Sequence, residues 1–232
     1  MRCLTIALAV TLALLMGGCD SVTSVAAKYN PFVSFEARCA RLPPAHIEVR
    51  QSAMEPITND QLPYRELTRL GEDNPATHRT LGLTKTEFRQ EAKIETTGLS
   101  DSNGGRSCAR PQIVLELTMT PMTVYVASEL ADNACGHSAV LEHEMKHVAA
   151  FRQHLAATAQ ALDAEVPQWF GQQIIFARDA SAAEAQVRQV LQAYLHDFIA
   201  RNTDQLKQRQ AAVDSVEEYS RVNDACGGIR IE

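Results

Sequence analysis

VLEHEMKHVAAF, residues 140–151, carries His143, Glu144 and His147 in a run without Pro or Gly from Ser138 to Phe151. Read as helix, the run puts both histidines on one face, because four residues make little more than one turn. Neutral imidazole nitrogens suit Zn²⁺, and a glutamate next to the first histidine reaches a water activated by the metal. Two ligands, His143 and His147, and one base, Glu144, then fall within five consecutive residues. The competing reading is a solvated helix face, since Glu142, Glu144 and Lys146 are all charged.

The surroundings favour the metal. The helix is expected over 138–163, rich in Ala and Leu, with VPQWFGQQ at 166–173 breaking it. A second helix is expected over 181–213, reaching toward Tyr219, with Val187, Leu191, Tyr194 and Phe198 on one stripe. Upstream, QIVLELTMTPMTVYVASEL (112–130) alternates Ile113, Leu115, Leu117 and Met119 on one face and resumes with Val124 and Val126. Pro121 does not suit a central strand, so the run is expected to turn at Thr120–Pro121 or to lie on an edge. HIEVRQ (46–51) reads as a strand, and so does at least Ala92–Thr97 of the ambiguous stretch 83–99. Residues 52–80 are polar with little periodicity, and SDSNGG (100–105) is a loop. The expected class is α+β: a small antiparallel sheet followed by the HExxH helix and a second long helix.

The N-terminus adds a compartment. Arg2, an apolar run from Leu4 to Met16 and small residues make a secretory signal, too short for a comfortable membrane span. LMGGC resembles a bacterial lipobox, which implies cleavage behind Gly18 and lipid on Cys19. The expected organisation is a signal at 1–18, a tether at 19–45 and a domain at 46–232. The chain has 232 residues, six of them Cys, and a net charge of -6. The charge disfavours nucleic acid as a partner. Cys39, Cys108, Cys135 and Cys226 remain for two disulfides in an exported chain. A hairpin at Pro121 would place Cys108 and Cys135 at matching distances from its turn. That suggests Cys108–Cys135, with Cys39–Cys226 tying the domain ends.

VYVA, Cys135, HEMKH and the late DSVEEY resemble, over about residues 83–226, a bacterial family of secreted or lipid-anchored zinc-dependent proteases of unknown substrate. The resemblance implies a zincin-like fold, with HExxH on a helix beneath a small sheet. A third ligand must come from elsewhere. His154 shares the face, but on an unbroken helix it lies roughly 10 Å along the axis from His147 and reads as a helix-surface residue. If the two helices pack as an antiparallel hairpin, Asp197 falls about level with His147, while Glu184 sits near the far end. Asp214, followed by Tyr219, matches the family's late element. The pair is also similar, at a different spacing, to the Asp and Tyr that serve aspzincins as ligand and oxyanion donor. Asp214 ranks first and Asp197 second. His46, His78 and His196 lack partners at ligand spacing, and His137 is as well explained beside a helix cap.

The expectation is a zinc endopeptidase anchored through Cys19 in a bacterial cell envelope and facing the periplasm, with an envelope protein or peptide as substrate. The alternative is a non-catalytic envelope lipoprotein whose second long helix docks a partner.

Overall fold

The computed structural model describes residues 33–71, 79–101 and 105–229. The signal segment 1–18, Cys19 and His78 lie outside the described residues. The class is α+β, with one small sheet and two long C-terminal helices.

Strands β1 (His46–Ala53), β2 (Ile57–Asn59), β3 (Gly82–Asp101), β4 (Arg106–Val126) and β5 (Ile175–Ala177) form one sheet around β4. β3 pairs antiparallel with β4 along its whole length. On the other edge of β4, three short strands lie end to end. β5 runs antiparallel against Ser107–Ala109, β1 parallel against Gln112–Met119, and β2 parallel against Thr123–Tyr125. The sheet is therefore mixed, not purely antiparallel. The chain runs along one edge of β4 in β1 and β2, passes over the end of the sheet through α2 (Tyr64–Leu70), and returns on the far edge as β3.

β4 does not turn at Pro121. Between the pairs Thr86–Met122 and Phe88–Met119, Glu87 alone stands opposite both Thr120 and Pro121. On the other edge, β1 ends opposite Met119 and β2 begins opposite Thr123. Proline, which has no N–H to give, thus sits where the ladder is interrupted on both sides, and the strand passes through it at a bulge. The hairpin lies instead between Asp101 and Arg106.

This corrects the disulfides. A through-running β4 carries Cys108 and Cys135 to opposite ends of the sheet. The bonds are Cys39–Cys108 and Cys135–Cys226, in place of Cys108–Cys135 and Cys39–Cys226. Cys108 points to the sheet face opposite its neighbour Ala109 and is covered there by Phe35, Cys39 and Leu42. Phe35 and Cys39 belong to α1 (Phe35–Cys39), so the end of the stretch expected as tether is packed onto the domain. Two disulfides indicate an oxidising, extracytoplasmic compartment. No helix among the described residues is long and apolar enough to cross a membrane.

The helices α3 (Ala134–Phe170) and α4 (Ala180–Val213) cover one sheet face. Asn133 caps α3 by accepting from the Gly136 amide at 2.8 Å, and Asp179 caps α4 by accepting from Ala182 at 2.7 Å. The sheet presents Phe88, Ile94, Ile113, Leu115, Leu117 and Met119, and the helices answer with Phe151, Leu155, Leu162, Phe170, Leu191 and Phe198. The opposite face carries exposed charge pairs such as Arg50–Glu48 and Arg89–Glu87, worth little individually.

α3 is not broken at 166–173. Pro167 lies in its last turn, where the lost N–H leaves unpaired only a carbonyl at the exposed Asp163 position. Val166 and Phe170, both fully buried, hold that turn against the core. The second helix ends at Val213, and Ser215 starts the separate α5 (Val216–Asp224) by accepting from the Glu218 amide at 3.2 Å.

Candidate metal centre

α3 and the start of β3 meet at Gly82. A Cβ there would lie 2.5 Å from Glu144 Oε1 and 2.6 Å from Val140 Cγ1, so the close approach of strand to helix requires glycine. One period further, the Thr84 hydroxyl donates to Glu144 Oε2 at 2.8 Å and stands 3.2 Å from the Glu144 carbonyl oxygen. Glu144 is only 3 % exposed.

α4 returns antiparallel to α3 and brings its C-terminal end to the same place. Asp214, the residue that caps α4, lies with its side chain against both histidines. His143 Nε2 and His147 Nε2 stand 3.3 Å apart, and Asp214 Oδ1 is 3.3 Å from the first and 3.2 Å from the second. Two atoms bound to one tetrahedral ion at roughly 2.0–2.1 Å stand roughly 3.3–3.4 Å apart. The three donor atoms therefore form a nearly equilateral triangle of the size of one face of a zinc tetrahedron.

The outer partners fix the tautomers. His147 Nδ1 lies 2.5 Å from Gln210 Oε1, and His143 Nδ1 lies 3.3 Å from Glu218 Oε1. These oxygens accept, so each Nδ1 carries the proton and each Nε2 turns a lone pair inward. Two lone pairs and a carboxylate oxygen then converge in a buried site, an arrangement that repels itself until a positive charge sits among them. Tyr219 donates its hydroxyl to Asp214 Oδ1 at 2.9 Å, and Lys146 Nζ contacts both Glu218 oxygens at 2.8 Å. His143, His147 and Asp214 together can hold a metal ion.

Protons compete with an ion for the same inward-facing donor atoms. Burial pushes the Glu144 carboxyl up, only partly opposed by His147 and His143. Burial would also raise Asp214, but hydrogen bonds with His143 and His147 outweigh it and hold this carboxyl below the usual range. Burial would lower His147, yet the bond to Asp214 and the field of Glu144 leave it raised. Arg221 draws the Glu218 carboxyl down to about 2, with Lys146 and His143 adding to the effect.

Of the sequence candidates, His143, Glu144, His147, Asp214 and Tyr219 come together, and Asp197 does not. Gln210 stands level with His147, Asn202 with Thr158, and Tyr194 with Glu165. That register puts Asp197 beside the turn around Leu162, roughly 22 Å along the axis from His147. The expected register assumed that α3 stopped before Pro167. Each extra turn of α3 shifts the partner position on α4 toward its C-terminus. Asp197 is exposed, and Glu184 pairs with Arg188 at 2.8 Å. His137 lies 3.4 Å from Asp60, away from the triad.

The outer partners Gln210 and Glu218 were missed. Gln210 precedes Asp214 by one helical turn, a spacing visible in the sequence once Asp214 is chosen. Gly82 and Thr84 depend on how strand and helix dock, and no local pattern marks them.

His154 is not a surface residue. It is 4 % exposed, its Nε2 is 3.4 Å from the Thr158 hydroxyl, and its Nδ1 has no hydrogen-bond partner among the described residues. Burial pushes its pKa down to about 4, with Arg209 contributing. Since the unfolded chain binds this proton near pH 6.5, stability on account of His154 is complete above that value. It is lost as pH falls toward 4, by about 3 kcal/mol in all. Urea unfolding at pH 7 and pH 4.5 should show this loss in the wild type and a smaller one in His154→Leu. Equal losses would remove His154 as the cause.

The chain matches no family model, no curated protein and no solved structure.

Proposed function

We propose that this chain is a zinc-dependent peptidase of the bacterial cell envelope, tethered through lipid on Cys19. The observation that carries the reading is the triangle of His143 Nε2, His147 Nε2 and Asp214 Oδ1 beside a buried glutamate. Zinc suits two neutral imidazoles and one carboxylate, and when bound it supplies a Lewis acid that acidifies water and polarises a carbonyl. His143 and His147 would hold it through Nε2, Asp214 through Oδ1, and Gln210 and Glu218 would keep both rings in the required tautomer.

Glu144 then acts as general base. Burial raises its affinity for the proton that it would take from water and pass to a leaving amine. Thr84 fixes the carboxylate through Oε2. Tyr219, bonded to Asp214, is the phenol near enough to the triad to donate to an oxyanion. Among the described residues β3 pairs only with β4, so its outer edge beside Glu144 can take up an extended peptide by strand addition. The signal-like N-terminus and the two disulfides support a substrate in the envelope.

The test is to dialyse the disulfide-intact domain against zinc, measure metal per chain, and assay cleavage of an unstructured protein such as casein with and without chelator. One zinc per chain and cleavage that the chelator stops are expected. Protein without stoichiometric zinc would end the proposal, whereas zinc without cleavage would leave a structural metal and the binding-module alternative.

A further inference from the structure

α5 contributes two side chains to the site, yet it buries none of its residues fully. Glu218 faces His143 Nδ1, and Tyr219 bonds Asp214. Its apolar hold is partial: Val222 and Ile229 lie half-buried against Val126, Leu130 and Val140. The other hold is ionic, from Lys146 on Glu218 at 2.8 Å and from Arg221 to Glu142 at 3.4 Å. At its C-terminal end the chain is fastened covalently to the start of α3 by Cys135–Cys226. Both of those cysteines are exposed, whereas Cys39 and Cys108 are buried.

We propose that Glu218 is a positioning residue for His143, and that the Cys135–Cys226 bond holds Glu218 in place, so that reducing this bond weakens metal binding. The inference rests on the reading of the triad as a metal site. A carboxylate that accepts from Nδ1 keeps the ring oriented and its Nε2 basic. Without the covalent link, the hold on the C-terminal end of α5 rests largely on a half-buried valine, the following isoleucine and the pair of the half-exposed Arg221 with the exposed Glu142, a kind of pair that is weak in water.

Exposure decides which disulfide reacts. A thiolate of a dithiol protein or small dithiol attacks one sulfur, expelling the other as a thiolate that takes up a proton. The second thiol of the reductant then closes its own disulfide and releases the first sulfur as a thiol. Two electrons pass to Cys135 and Cys226, and the dithiol is oxidised. The buried Cys39–Cys108 bond is shielded from the same attack, so the core survives.

The experiment measures Zn²⁺ affinity by competition with a chromophoric chelator. It compares the oxidised wild type, Cys135→Ser/Cys226→Ser, Glu218→Ala, and the triple variant, with circular dichroism as a folding control. Thiol reductants are avoided because they bind zinc. Glu218→Ala is expected to weaken zinc binding about 10–100-fold in the oxidised chain. The serine pair should weaken it at least about tenfold. In the triple variant Glu218→Ala should add little, because Glu218 has already been released. A serine pair that binds as tightly as the wild type, or an undiminished Glu218→Ala effect in the triple variant, overturns the proposal. Should the serine pair not fold, an unchanged affinity in disulfide-intact Glu218→Ala overturns it instead. Failure of the metal reading itself is distinct, since the oxidised wild type would then bind no stoichiometric zinc.

Discussion

Asp214→Ala should lose zinc at concentrations that saturate the wild type, with affinity falling on the order of a thousandfold. Outer partners of metal ligands contribute about 10–100-fold, and Asp214 supplies a donor atom itself. It also supplies the negative charge that two neutral imidazoles lack. Its side chain is only 2 % exposed, so water does not readily replace the lost oxygen without the end of α4 loosening. The same substitution removes the acceptor to which the Tyr219 hydroxyl donates at 2.9 Å. Asp214→Asn separates charge from shape: it keeps an oxygen near Oδ1 but removes the charge, and should fall between alanine and wild type. Asp197→Ala, on an exposed turn well away from His147, should bind as the wild type does. Affinities by chelator competition decide the matter. Asp214→Ala with wild-type affinity would remove it from the site, and loss on Asp197→Ala would show the helix register to be wrong.

The register is also where the sequence reading fell short. HExxH was legible because its meaning is local: four residues on a helix fix which side chains share a face, whatever the tertiary packing. The strand alternation in β4 was legible for the same reason. Pro121 and Pro167 were both read as breaks, and both are accommodated, one at a bulge with interrupted pairing on each side and one in a last turn anchored by Val166 and Phe170. Local propensity gives a proline its cost, but packing decides whether the chain absorbs it. The consequences were long-range. A hairpin imagined at Pro121 paired the wrong cysteines, and a helix ended too soon made Asp197 a competitor of Asp214. Asp214 was reached through the DSVEEY resemblance, not through helix geometry. His154 shows the complementary error. Its position on the HExxH face was read correctly, but that the face is covered there by α4 is a fact about packing, carried by Thr158 and Asn202.

Glu144→Gln should leave the fold and zinc content as they are and lower peptide hydrolysis about a thousandfold, within the range that general bases contribute. The side chains match in size, and a glutamine carbonyl still accepts from the Thr84 hydroxyl now bonded to Oε2 at 2.8 Å. Burial raises the carboxyl's proton affinity above its unfolded value, so the ionised acid costs stability once pH exceeds that value. The amide has no such cost, and the variant should unfold at the same or a higher temperature. Loss of rate beside unchanged metal and equal or greater stability separates a base from a structural residue, because a structural residue would lose all three together. A Glu144→Gln protein that holds zinc and cleaves at the wild-type rate would leave the triad as a metal site and take the peptidase reading away.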